Sequence, residues 1–469
     1  MLLDNQHIFA IYKLKFRRNY MKTLIVGHGG RESALAWKMS ENSELYAFMG
    51  HANPSIINYV ESSKGKWQIG NVLDPNAVKA FAEKNEIELA LVSSDEPLAA
   101  GVIDSLKELG IKTVGPTKSG AQIELDKDFS RQLIERICPE YNPEFYTVYD
   151  SKSALEVIKN FGEREYAIKP AGLTGGKGVK VIGVNISKED APKYALELLE
   201  SGHGSVIFEE KLDGIEFTIQ AITDGKSIIY PPATYDYPYR LDGDQGAGTG
   251  GMGVYTDVNP VLPFMTEKNY EEAKKIIQKI IHGLDDDNRE FNGVLNAGFF
   301  AMPDGSIKII EFNARFGDPE CMNIMMLLED DCNWINALEK ISSKSLTQQD
   351  IRFKNQASVV AYMVSPEYGE QLQEPIQYSF GIDVEGVQLS GCKVFFASAI
   401  KEEGANQYKT IGISRSVAIG AIGYNIENAH SLTMQALKCF SSGPLQYRNE
   451  IGEQTYIDRT VKFLKGNDI

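Results

Sequence analysis

Short apolar runs that alternate with amphipathic stretches organise the first part of the chain. Strands are predicted at Thr23–Val26, Leu89–Val92 and Lys112–Val114, and helices at Arg31–Met39 and Gly101–Leu109. Strands that alternate with helices in this way usually pair in parallel, with helices covering both faces of the sheet. The pattern therefore predicts a parallel-sheet domain in the N-terminal part of the chain.

The pattern changes after residue 125. The region 125–341 mixes hairpin-like strands with glycine-rich loops, and the polar stretch 342–350 is typical of a linker. Further strands follow, before a helix predicted at Ile426–Phe440. We therefore expect an α/β multidomain protein with an N-terminal parallel-sheet domain (21–124), a central α+β domain (125–341) and a β-rich C-terminal domain (351–469).

Composition and charge limit the classes of function that remain. The chain has 469 residues, of which 43% are hydrophobic and 24% are charged, as in ordinary globular proteins. Its net charge of −16 argues against nucleic acid as the main partner, because phosphate backbones require a basic surface. No apolar run approaches the roughly 20 residues that span a bilayer. We expect small-molecule partners, with neither nucleic acid nor a membrane among them.

The five cysteines are scattered along the chain and form no CxxC pair. This distribution favours reduced thiols in the cytoplasm over a disulfide framework or a zinc site. Residues 1–20 lack the order of a signal peptide, and we interpret them as an extension that results from a start codon placed too early. The sequence does not determine the oligomeric state, although a monomer is the simpler expectation.

A run of charged side chains begins at Glu311, directly after an apolar stretch. Alternate side chains of a strand share a face, so Glu311 and Asn313 point the same way, about 7 Å apart. A carboxylate and an amide oxygen in this arrangement suit a hard divalent cation such as Mg2+. Arg315 and Asp318 follow in a turn, where they could bind the anionic and cationic ends of a substrate. A structural salt-bridge cluster is the weaker interpretation.

A glycine-rich turn at residues 27–30 connects the first predicted strand to the first helix. Its amides, at the helix N-terminus, could hold an anion such as a sugar phosphate. A dinucleotide-binding fingerprint would require a third glycine at the position that Glu32 occupies. A turn needed only for packing is the alternative.

A second glycine-rich loop, Lys169–Val179, carries four glycines within seven residues. It is not a Walker A motif, because Ala171 and Gly178 replace residues that this motif requires. Backbone amides in such a loop approach phosphate oxygens closely, and the charges of Lys169 and Lys177 add attraction. The loop therefore predicts a nucleotide-phosphate site rather than a simple surface loop.

Two acidic segments complete the candidate chemistry. The stretch Glu209–Phe217 could bind an adenine edge through its backbone and ribose hydroxyls through Glu216. The loop Thr249–Gly253, together with Asp236 and residues 242–244, could bind a carboxylate through amides and an ammonium group through the acid. Each segment is a weak signal alone, since acidic turns are usually only solvated and glycine loops are often only flexible.

The order of these motifs resembles that of the ATP-grasp ligases, whose ATP lies between two α+β subdomains. The chain is more closely similar to the phosphoribosylamine–glycine ligases (glycinamide ribonucleotide synthetases), over nearly all of residues 21–469. The segments that carry the similarity are VGHGGRESALAW (26–37), DEPLAAGV (95–102), VGPT (114–117), KPAGLTGGKGV (169–179), TGGMG (249–253) and EFNARFGDPE (311–320). The resemblance implies a pre-ATP-grasp domain, an ATP-grasp domain and a C-terminal domain that closes the cleft.

The resemblance also implies which residues form the site. The ATP phosphates would be held by Lys127, Lys169, Gly175, Gly176, Lys177 and Gly178. The adenosine would be held by Glu209, Glu210, Leu212 and Glu216, and Mg2+ or Mn2+ by Glu311 and Asn313. Phosphoribosylamine would face Gly29, Gly30, Arg31, Glu32 and Asp95. Glycine would be surrounded by Asp236, Thr249, Gly250, Gly251, Met252, Gly253, Arg315 and Asp318. The catalytic residues would be Arg315, Lys177 and Asp318.

The activity that the resemblance implies is the ATP-dependent ligation of glycine to 5-phosphoribosylamine, through glycyl phosphate, in de novo purine biosynthesis. Three alternatives remain open. A ligase for another amine and carboxylic acid is suggested by Ser33, Asp95 and Tyr237, which differ from the residues usual in the family. A catalytically silent nucleotide-binding protein and a Rossmann dehydrogenase are the other two.

Overall fold

The N-terminal part of the chain forms a parallel sheet with helices between its strands. The computed structural model describes residues 20–172, 178–202, 204–370, 376–402 and 407–466. The first five strands are β1 (Lys22–Val26), β2 (Glu44–Met49), β3 (Trp67–Ile69), β4 (Leu89–Val92) and β5 (Lys112–Val114). The helices are α1 (Gly30–Ser40), α2 (Pro54–Ser62), α3 (Pro75–Lys84), α4 (Asp95–Ala100) and α5 (Val102–Lys107). All pairs are parallel, in the order β3-β2-β1-β4-β5, which confirms the predicted parallel sheet.

The turn between β1 and α1 is determined by its own residues. Gly27 has a φ of +125°, and a Cβ at this position would lie 2.8 Å from the side chain of Glu32. The Glu32 carboxylate accepts a hydrogen bond from the amide of Gly29 at 2.7 Å and so caps the first turn of α1. Because the turn follows the last residue of β1, it lies at the carboxyl edge of the sheet, where open α/β sheets place their ligands.

The central part of the chain contains two antiparallel sheets. The smaller sheet has the order β6-β9-β7-β8 and consists of β6 (Phe145–Val148), β7 (Tyr166–Pro170), β8 (Lys180–Val181) and β9 (Val206–Glu210). Helices α8 (Ser151–Phe161) and α9 (Ala191–Glu200) pack with it around an apolar cluster that is separate from the main core. The short helix α6 (Gln122–Leu125) and helix α7 (Lys127–Ile137) precede this unit.

The larger central sheet carries the charged segment singled out in the sequence. Its order is β11-β10-β16-β17, with β10 (Ile215–Thr223), β11 (Ile228–Ile229), β16 (Gly293–Ala301) and β17 (Ile307–Asn313). Three helices accompany it, α10 (Glu267–Asp286), α11 (Glu320–Leu327) and α12 (Trp334–Ser342). The predicted linker after α12 is packed, since Leu346 is 3% exposed and its amide donates to Asp224 at 2.9 Å.

The third large sheet joins the central and C-terminal parts of the chain. Its order is β12-β15-β18-β23-β20, with β12 (Tyr235–Asp236), β15 (Gly253–Thr256), β18 (Ala357–Val364), β20 (Lys393–Phe396) and β23 (Arg415–Gly423). Smaller elements are β13 (Tyr239–Leu241), β14 (Gln245–Gly248), β19 (Ser379–Ile382), β21 (Ala399–Lys401), β22 (Tyr408–Thr410) and β24 (Ser441–Ser442). The last helices are α13 (Val384–Leu389), α14 (Ile426–Phe440) and α15 (Gln454–Leu464). Strands from both sides of residue 351 thus share one sheet.

Side chains of the N-terminal part also hydrogen-bond the backbone of β20. Asn53 is fully buried, and its amide donates to the carbonyl of Phe396 at 2.8 Å. The hydroxyl of Ser33 donates to the same carbonyl, while the amide of Phe396 donates to Ser55 at 3.1 Å. These bonds hold the turn after β1 at a set position relative to the C-terminal sheet. In the described parts of the chain, no helix combines the length and apolarity that a membrane span requires.

We predict that Asn53→Ala lowers the free energy of unfolding by about 2–3 kcal/mol, because it removes a helix cap and leaves buried groups without partners. Asp74→Ala is the matched control, since Asp74 caps α3 through the amides of Asn76 and Ala77 only. It should cost about 1 kcal/mol. Urea denaturation of the two variants measures both values, and equal losses would show that the bonds of the Asn53 amide to the carbonyls of His28 and Phe396 contribute nothing.

Candidate active site

Two adjoining cavities lie where the three parts of the chain meet. The first, of about 480 Å³, is bordered by the small sheet, the 210–216 segment and helix α15. The second, of about 390 Å³, is bordered by β17, the following turn, and residues of the N-terminal and C-terminal parts. Val179 and Asp236 line both cavities, so together they form one continuous cleft.

Strand β17 presents Glu311 and Asn313 to the second cavity. Its register with β16 shifts between Gly298 and Phe299, so that β17 bulges directly before Glu311. The amide of Asn313 donates to the carboxylate of Glu311 at 3.3 Å, and both residues therefore lie on one side of the strand, as predicted. The Glu311 side chain is exposed to the cavity, although the sequence pattern suggested a buried strand end.

Asn296 adds an oxygen that sequence reasoning missed. It lies directly opposite Asn313 in the register of β16 and β17, is 4% exposed and borders the same cavity. Its Oδ1 atom has no hydrogen-bond partner among the described residues. A carboxylate and two amide oxygens suit a hard divalent cation. In the described ranges, no group of three or more His, Cys, Asp or Glu residues could hold a metal ion.

Arg315 is held by a carboxylate that the sequence did not point to. Its guanidinium lies 2.9 Å from Glu124, which is buried and also accepts the amide of Ala314 at 2.7 Å. The guanidinium also donates to the Asn313 side chain at 3.2 Å. The Nε–H of Arg315 is buried and has no hydrogen-bond partner within the described part of the chain.

Asp318 faces a second arginine, Arg415, from the start of β23. The Asp318 carboxylate accepts a hydrogen bond from the Tyr362 hydroxyl at 2.6 Å and lies 3.5 Å from the Arg415 guanidinium. Burial alone would raise the pKa of Asp318, but the charges of Arg415 and Arg31 outweigh it and hold this pKa below its usual value. Arg415 also donates to the carbonyl of Gly250, and it lines the second cavity.

Arg31, directly after the first glycine-rich turn, borders the second cavity. Glu32 is turned inward, where it accepts from Gly29 and from the guanidinium of Arg31 at 2.7 Å each. Gly30 packs against the C-terminal part, since a Cβ there would lie 2.2 Å from the Tyr362 hydroxyl. Gly29, Gly30 and Glu32 thus shape the turn without lining either cavity.

Asp95, at the start of α4, also borders the second cavity. Burial acts to raise the pKa of Asp95, but Arg315 and Arg31 outweigh it and keep this pKa below its usual value. Three arginines, Arg31, Arg315 and Arg415, thus border the second cavity. Two of them, Arg31 and Arg315, stabilise the charged form of Asp95.

Asp236 and Glu320 place two carboxylates close together at the junction of the cavities. Glu320 is 7% exposed, and Oδ1 of Asp236 has no hydrogen-bond partner among the residues that the structure covers. Burial and the charge of Glu320 raise the pKa of Asp236 well above its usual value. The nearby guanidinium groups of Arg315 and Arg415 pair with other carboxylates, so this pair is poorly neutralised. A cationic ligand would supply the missing charge.

The predicted loop Thr249–Gly253 contributes only part of its length to the cavity. Thr249 and Gly250 line it, whereas Met252 is fully buried and Gly253 packs against the backbone of β18. Gly251 lies against Asp236, and a Cβ at this position would be 2.7 Å from Oδ1 of that residue. Residues 242–244, which we predicted beside Asp236, contribute Asp244 to the first cavity instead.

The predicted phosphate-binding residues lie on both sides of the cleft. Lys127 borders the second cavity and donates to the carbonyl of Gly172 at 3.3 Å. Lys169, at the end of β7, borders the first cavity. Gly178 accepts a hydrogen bond from the Tyr194 hydroxyl at 2.8 Å and adjoins Val179, which lines both cavities. Gly175, Gly176 and Lys177 lie outside the described residues.

Glu209 does not reach the first cavity, although we predicted that it would hold adenosine. It is 4% exposed, and its carboxylate pairs with the guanidinium of Arg131 at 2.8 Å and with Lys169 at 2.5 Å. Burial opposes the charged form, but Arg131 and Lys169 outweigh it and lower the pKa of Glu209 to about 2. Glu209 therefore orients Lys169 and fixes β9 to α7.

Glu210, Leu212 and Glu216 do border the first cavity. The Glu210 carboxylate accepts the amide of Glu144 at 3.0 Å, so its side chain is partly engaged. Glu216 retains contact with solvent in the cleft but is surrounded by protein on most sides. This loss of hydration, with the nearby charge of Glu311, raises the pKa of Glu216 to about 7.

Comparison with known proteins identifies the class to which this fold and cleft belong. The family described as "Phosphoribosylglycinamide synthetase, ATP-grasp (A) domain" matches residues 125–321, and its N domain matches residues 21–124. The solved phosphoribosylamine–glycine ligase of Thermotoga maritima superimposes with a TM-score of 0.75 at 22% identity and covers 92% of this chain and 100% of its own. A biotin carboxylase from Campylobacter jejuni gives 0.68 at 14% identity, with 95% of each chain covered, which supports the fold alone. The architecture is that of the ATP-grasp enzymes.

Relatives in sequence identify the family to which the chain belongs within the ATP-grasp enzymes. A phosphoribosylamine–glycine ligase from Methanocaldococcus jannaschii is 37% identical over 94% of this chain and 98% of its own length. The corresponding ligase of Pyrococcus furiosus is 35% identical over 95% of this chain and 97% of its own. The chain therefore belongs to the phosphoribosylamine–glycine ligase family. It is a ligase that forms a C–N bond, which confirms the predicted enzyme class and fold and contradicts the dehydrogenase alternative.

We predict that the Arg131–Glu209–Lys169 cluster makes stability depend on pH in acid. The pKa of Glu209 is about 2 in the folded chain, against 4.5 for an ordinary glutamate. A carboxylate whose pKa is depressed by folding stabilises the protein above the unfolded value, and this contribution is lost as the pH falls towards 2. The loss amounts to about 3 kcal/mol.

Urea denaturation at steps from pH 5 to pH 2 tests this expectation. The difference in unfolding free energy between the wild type and Glu209→Gln should be largest near pH 5 and should shrink towards pH 2. Glu163→Gln is the control, because the pair of Glu163 with Lys188 is exposed and should contribute little. A difference for Glu209→Gln that does not change with pH would contradict the assignment.

Proposed function

We propose that the chain ligates glycine to 5-phosphoribosylamine, with ATP as co-substrate, and forms glycinamide ribonucleotide, ADP and phosphate. The observation that carries the proposal is the continuous cleft, in which a nucleotide-sized cavity opens into one that contains arginines, unneutralised carboxylates and candidate metal ligands. Two relatives named for this reaction align over nearly their whole length. The first cavity would hold the adenosine of ATP, and the second cavity would hold its phosphates together with the acyl and amine substrates.

ATP would lie along the cleft, with its adenosine in the first cavity. Glu216, at the border of that cavity, would accept hydrogen bonds from ribose hydroxyls. Lys169 and Lys127 follow towards the second cavity, where their charges would stabilise the phosphates. Mg2+ or Mn2+ bound to Glu311 and Asn313 would neutralise phosphate charge when present. The unpartnered oxygen of Asn296, on the neighbouring strand, would be a third ligand of that ion.

Glycine would be bound by charges of opposite sign at its two ends. Its ammonium group would lie against Asp236 and Glu320, which lack a cationic partner of their own among the described residues. Its carboxylate would be directed towards Arg315, whose Nε–H is unpartnered in the described structure. This orientation points a carboxylate oxygen at the terminal phosphate of ATP, close to the metal ligands.

The first chemical step would transfer the terminal phosphoryl group. A glycine carboxylate oxygen attacks the γ-phosphorus, the bond from this phosphorus to the β–γ bridging oxygen breaks, and ADP leaves. The products are glycyl phosphate and ADP. Arg315 and the two lysines would stabilise charge on the transferred group, and Glu124 would keep Arg315 in place.

The second step would form the amide bond. The 1-amino nitrogen of phosphoribosylamine attacks the carbonyl carbon of glycyl phosphate, the bond to the phosphate oxygen breaks, and the nitrogen loses a proton. Arg31 and Asp95 line the end of the second cavity that borders the N-terminal sheet, and they would bind this substrate. Asp318, ionised and fixed by Tyr362 and Arg415, would orient the reacting amine.

Two of the three unusual residues that suggested another substrate have structural roles. Ser33 is fully buried and donates to the carbonyl of Phe396. Tyr237 is fully buried, and its hydroxyl accepts the amide of Gly452 at 2.9 Å. Asp95 alone of the three lines the cleft. The argument for a different pair of amine and carboxylic acid substrates therefore rests on Asp95 alone.

We still expect the protein to be a cytoplasmic monomer.

We predict that Glu311→Ala reduces turnover by about 100-fold or more, because it removes the charged ligand of the metal. With the metal bound more weakly, the negative charge of the phosphates is neutralised less. The concentration of Mg2+ required for half-maximal turnover should also rise. Glu96→Ala, an exposed glutamate beside Asp95, is the control and should retain normal turnover. Near-UV circular dichroism establishes that both variants are folded, and near-normal turnover of folded Glu311→Ala would refute the metal assignment.

The proposed reaction is tested by ADP release with ATP and Mg2+, with glycine and freshly made phosphoribosylamine offered singly and together. We expect ADP to form stoichiometrically with glycinamide ribonucleotide when both substrates are present. Glycine alone should give little ADP, because glycyl phosphate has no acceptor. Protein that binds ATP but releases no ADP with this pair would overturn these substrates and favour the alternative ligase.

A further inference from the structure

Helix α15 forms one wall of the first cavity. Tyr456, Arg459, Thr460 and Phe463 border the cavity, at spacings of three, four and seven residues from the first of them. These spacings place the side chains on one face of a helix, while Asp458 and Lys462 on the other face are exposed. The helix thus presents two aromatic rings, a threonine side chain and a guanidinium group to the space in which we propose that adenosine binds.

Tyr456 fastens the helix to the strands that border the cavity. It is 4% exposed, and its hydroxyl donates to the Asp244 carboxylate at 2.7 Å. The Tyr235 hydroxyl lies 2.8 Å from the Tyr456 hydroxyl. Asp244 and Tyr235 also line the cavity, so these contacts join two of its walls.

Arg448 strengthens this connection from behind the cavity. Its side chain is fully buried, and its guanidinium lies 3.1 Å from Asp244 and 2.9 Å from Glu450. Glu450 in turn accepts from the guanidinium of Arg459 at 3.1 Å. The Arg459 guanidinium lies over the Tyr456 ring, 4.8 Å from its centre. The position of the helix face is therefore set by a network of paired charges, which favours a single geometry.

The remaining walls suit a planar base. Ala167, Val181, Ile215 and Phe300 provide apolar surface from the central sheets. The polar side chains of Lys169 and Glu216 lie in the same cavity, and it joins the second cavity at Val179 and Asp236. An apolar space with charged groups towards its continuation fits a nucleotide whose base enters first and whose phosphates extend into the second cavity.

We propose that α15 is part of the nucleotide site, and that its Phe463 and Thr460 side chains form the wall against which the adenine base packs. This inference rests on the proposed function, because it assumes that ATP occupies the first cavity. The match to the family's ATP-grasp domain ends at residue 321, so it does not include this helix. The base site is then completed by the C-terminal part of the chain.

The test compares a ligand that has a base with one that has only phosphates. Dissociation constants of ADP and of inorganic tripolyphosphate are measured by titration calorimetry, with Mg2+ present, on the wild type and on Phe463→Ala. We expect ADP to bind about tenfold more weakly to the variant, as for the loss of an aromatic contact to a base. Tripolyphosphate should bind within about twofold of the wild type, which corresponds to less than 0.5 kcal/mol.

Two further variants make the result specific. Lys462→Ala, on the exposed face of the same helix, should bind ADP like the wild type. Phe463→Leu retains apolar volume without the ring and should show a smaller loss than Phe463→Ala. If thermal unfolding shows that Phe463→Ala does not fold, the dissociation constants of ADP for Phe463→Leu and Lys462→Ala are compared instead.

The outcomes separate this inference from the proposed function. ADP affinity unchanged in a folded Phe463 variant would overturn the inference, as would an equal loss for ADP and tripolyphosphate. Binding of neither ligand to the wild type would instead overturn the proposed ATP site itself. In steady-state assays, the KM for ATP should rise with the calorimetric constant while the KM for glycine stays unchanged.

Discussion

The pairing of buried charges is the constraint on which the rest of this structure depends. Arg315 and Arg415 each enter the cleft beside a carboxylate from a distant segment, Glu124 and Asp318 respectively. An unpaired charge in such surroundings would be strongly destabilising, so these pairs are maintained only when the N-terminal, central and C-terminal parts adopt one arrangement. The same contacts that hold the parts together therefore set the positions of the groups that would meet the substrates.

Three buried polar atoms of the cleft have no hydrogen-bond partner in the described structure. They are Oδ1 of Asp236, Oδ1 of Asn296 and Nε of Arg315. These three residues border one cavity. Asp236 would be satisfied by an ammonium group, Asn296 by a metal ion and Arg315 by an anion. Groups that are fixed before a ligand arrives need little reorganisation during reaction, which is the main source of electrostatic catalysis.

Local features of the site could be predicted from the sequence, and features that depend on register could not. The two-residue period of a strand placed Glu311 and Asn313 on one side, and the bounds of Leu89–Val92 and Ile426–Phe440 agree with the structure. Nothing in the local pattern shows that Asn296 lies opposite Asn313. The family resemblance implied that Glu209 holds adenosine, and the local sequence could not correct this, because an acidic turn near a strand end looks alike whether it faces a cleft or a buried arginine. Glu124, Arg131 and Arg415 became visible only through contacts with residues far away in the chain.

The sheet that joins strands from both sides of residue 351 has a mechanical consequence. Because β12 and β15 pair in one ladder with β18 and β23, the C-terminal part cannot swing away without breaking backbone hydrogen bonds. The unit around β6–β9 has an apolar cluster of its own and contributes one side of the first cavity. A displacement of this unit as one body would keep its internal packing, but it would strain the buried pair of Glu209 with Arg131 that fixes β9 to α7. The parts that border the cleft are therefore joined unequally: the C-terminal part shares a sheet with the central part, whereas the small-sheet unit has an apolar core of its own.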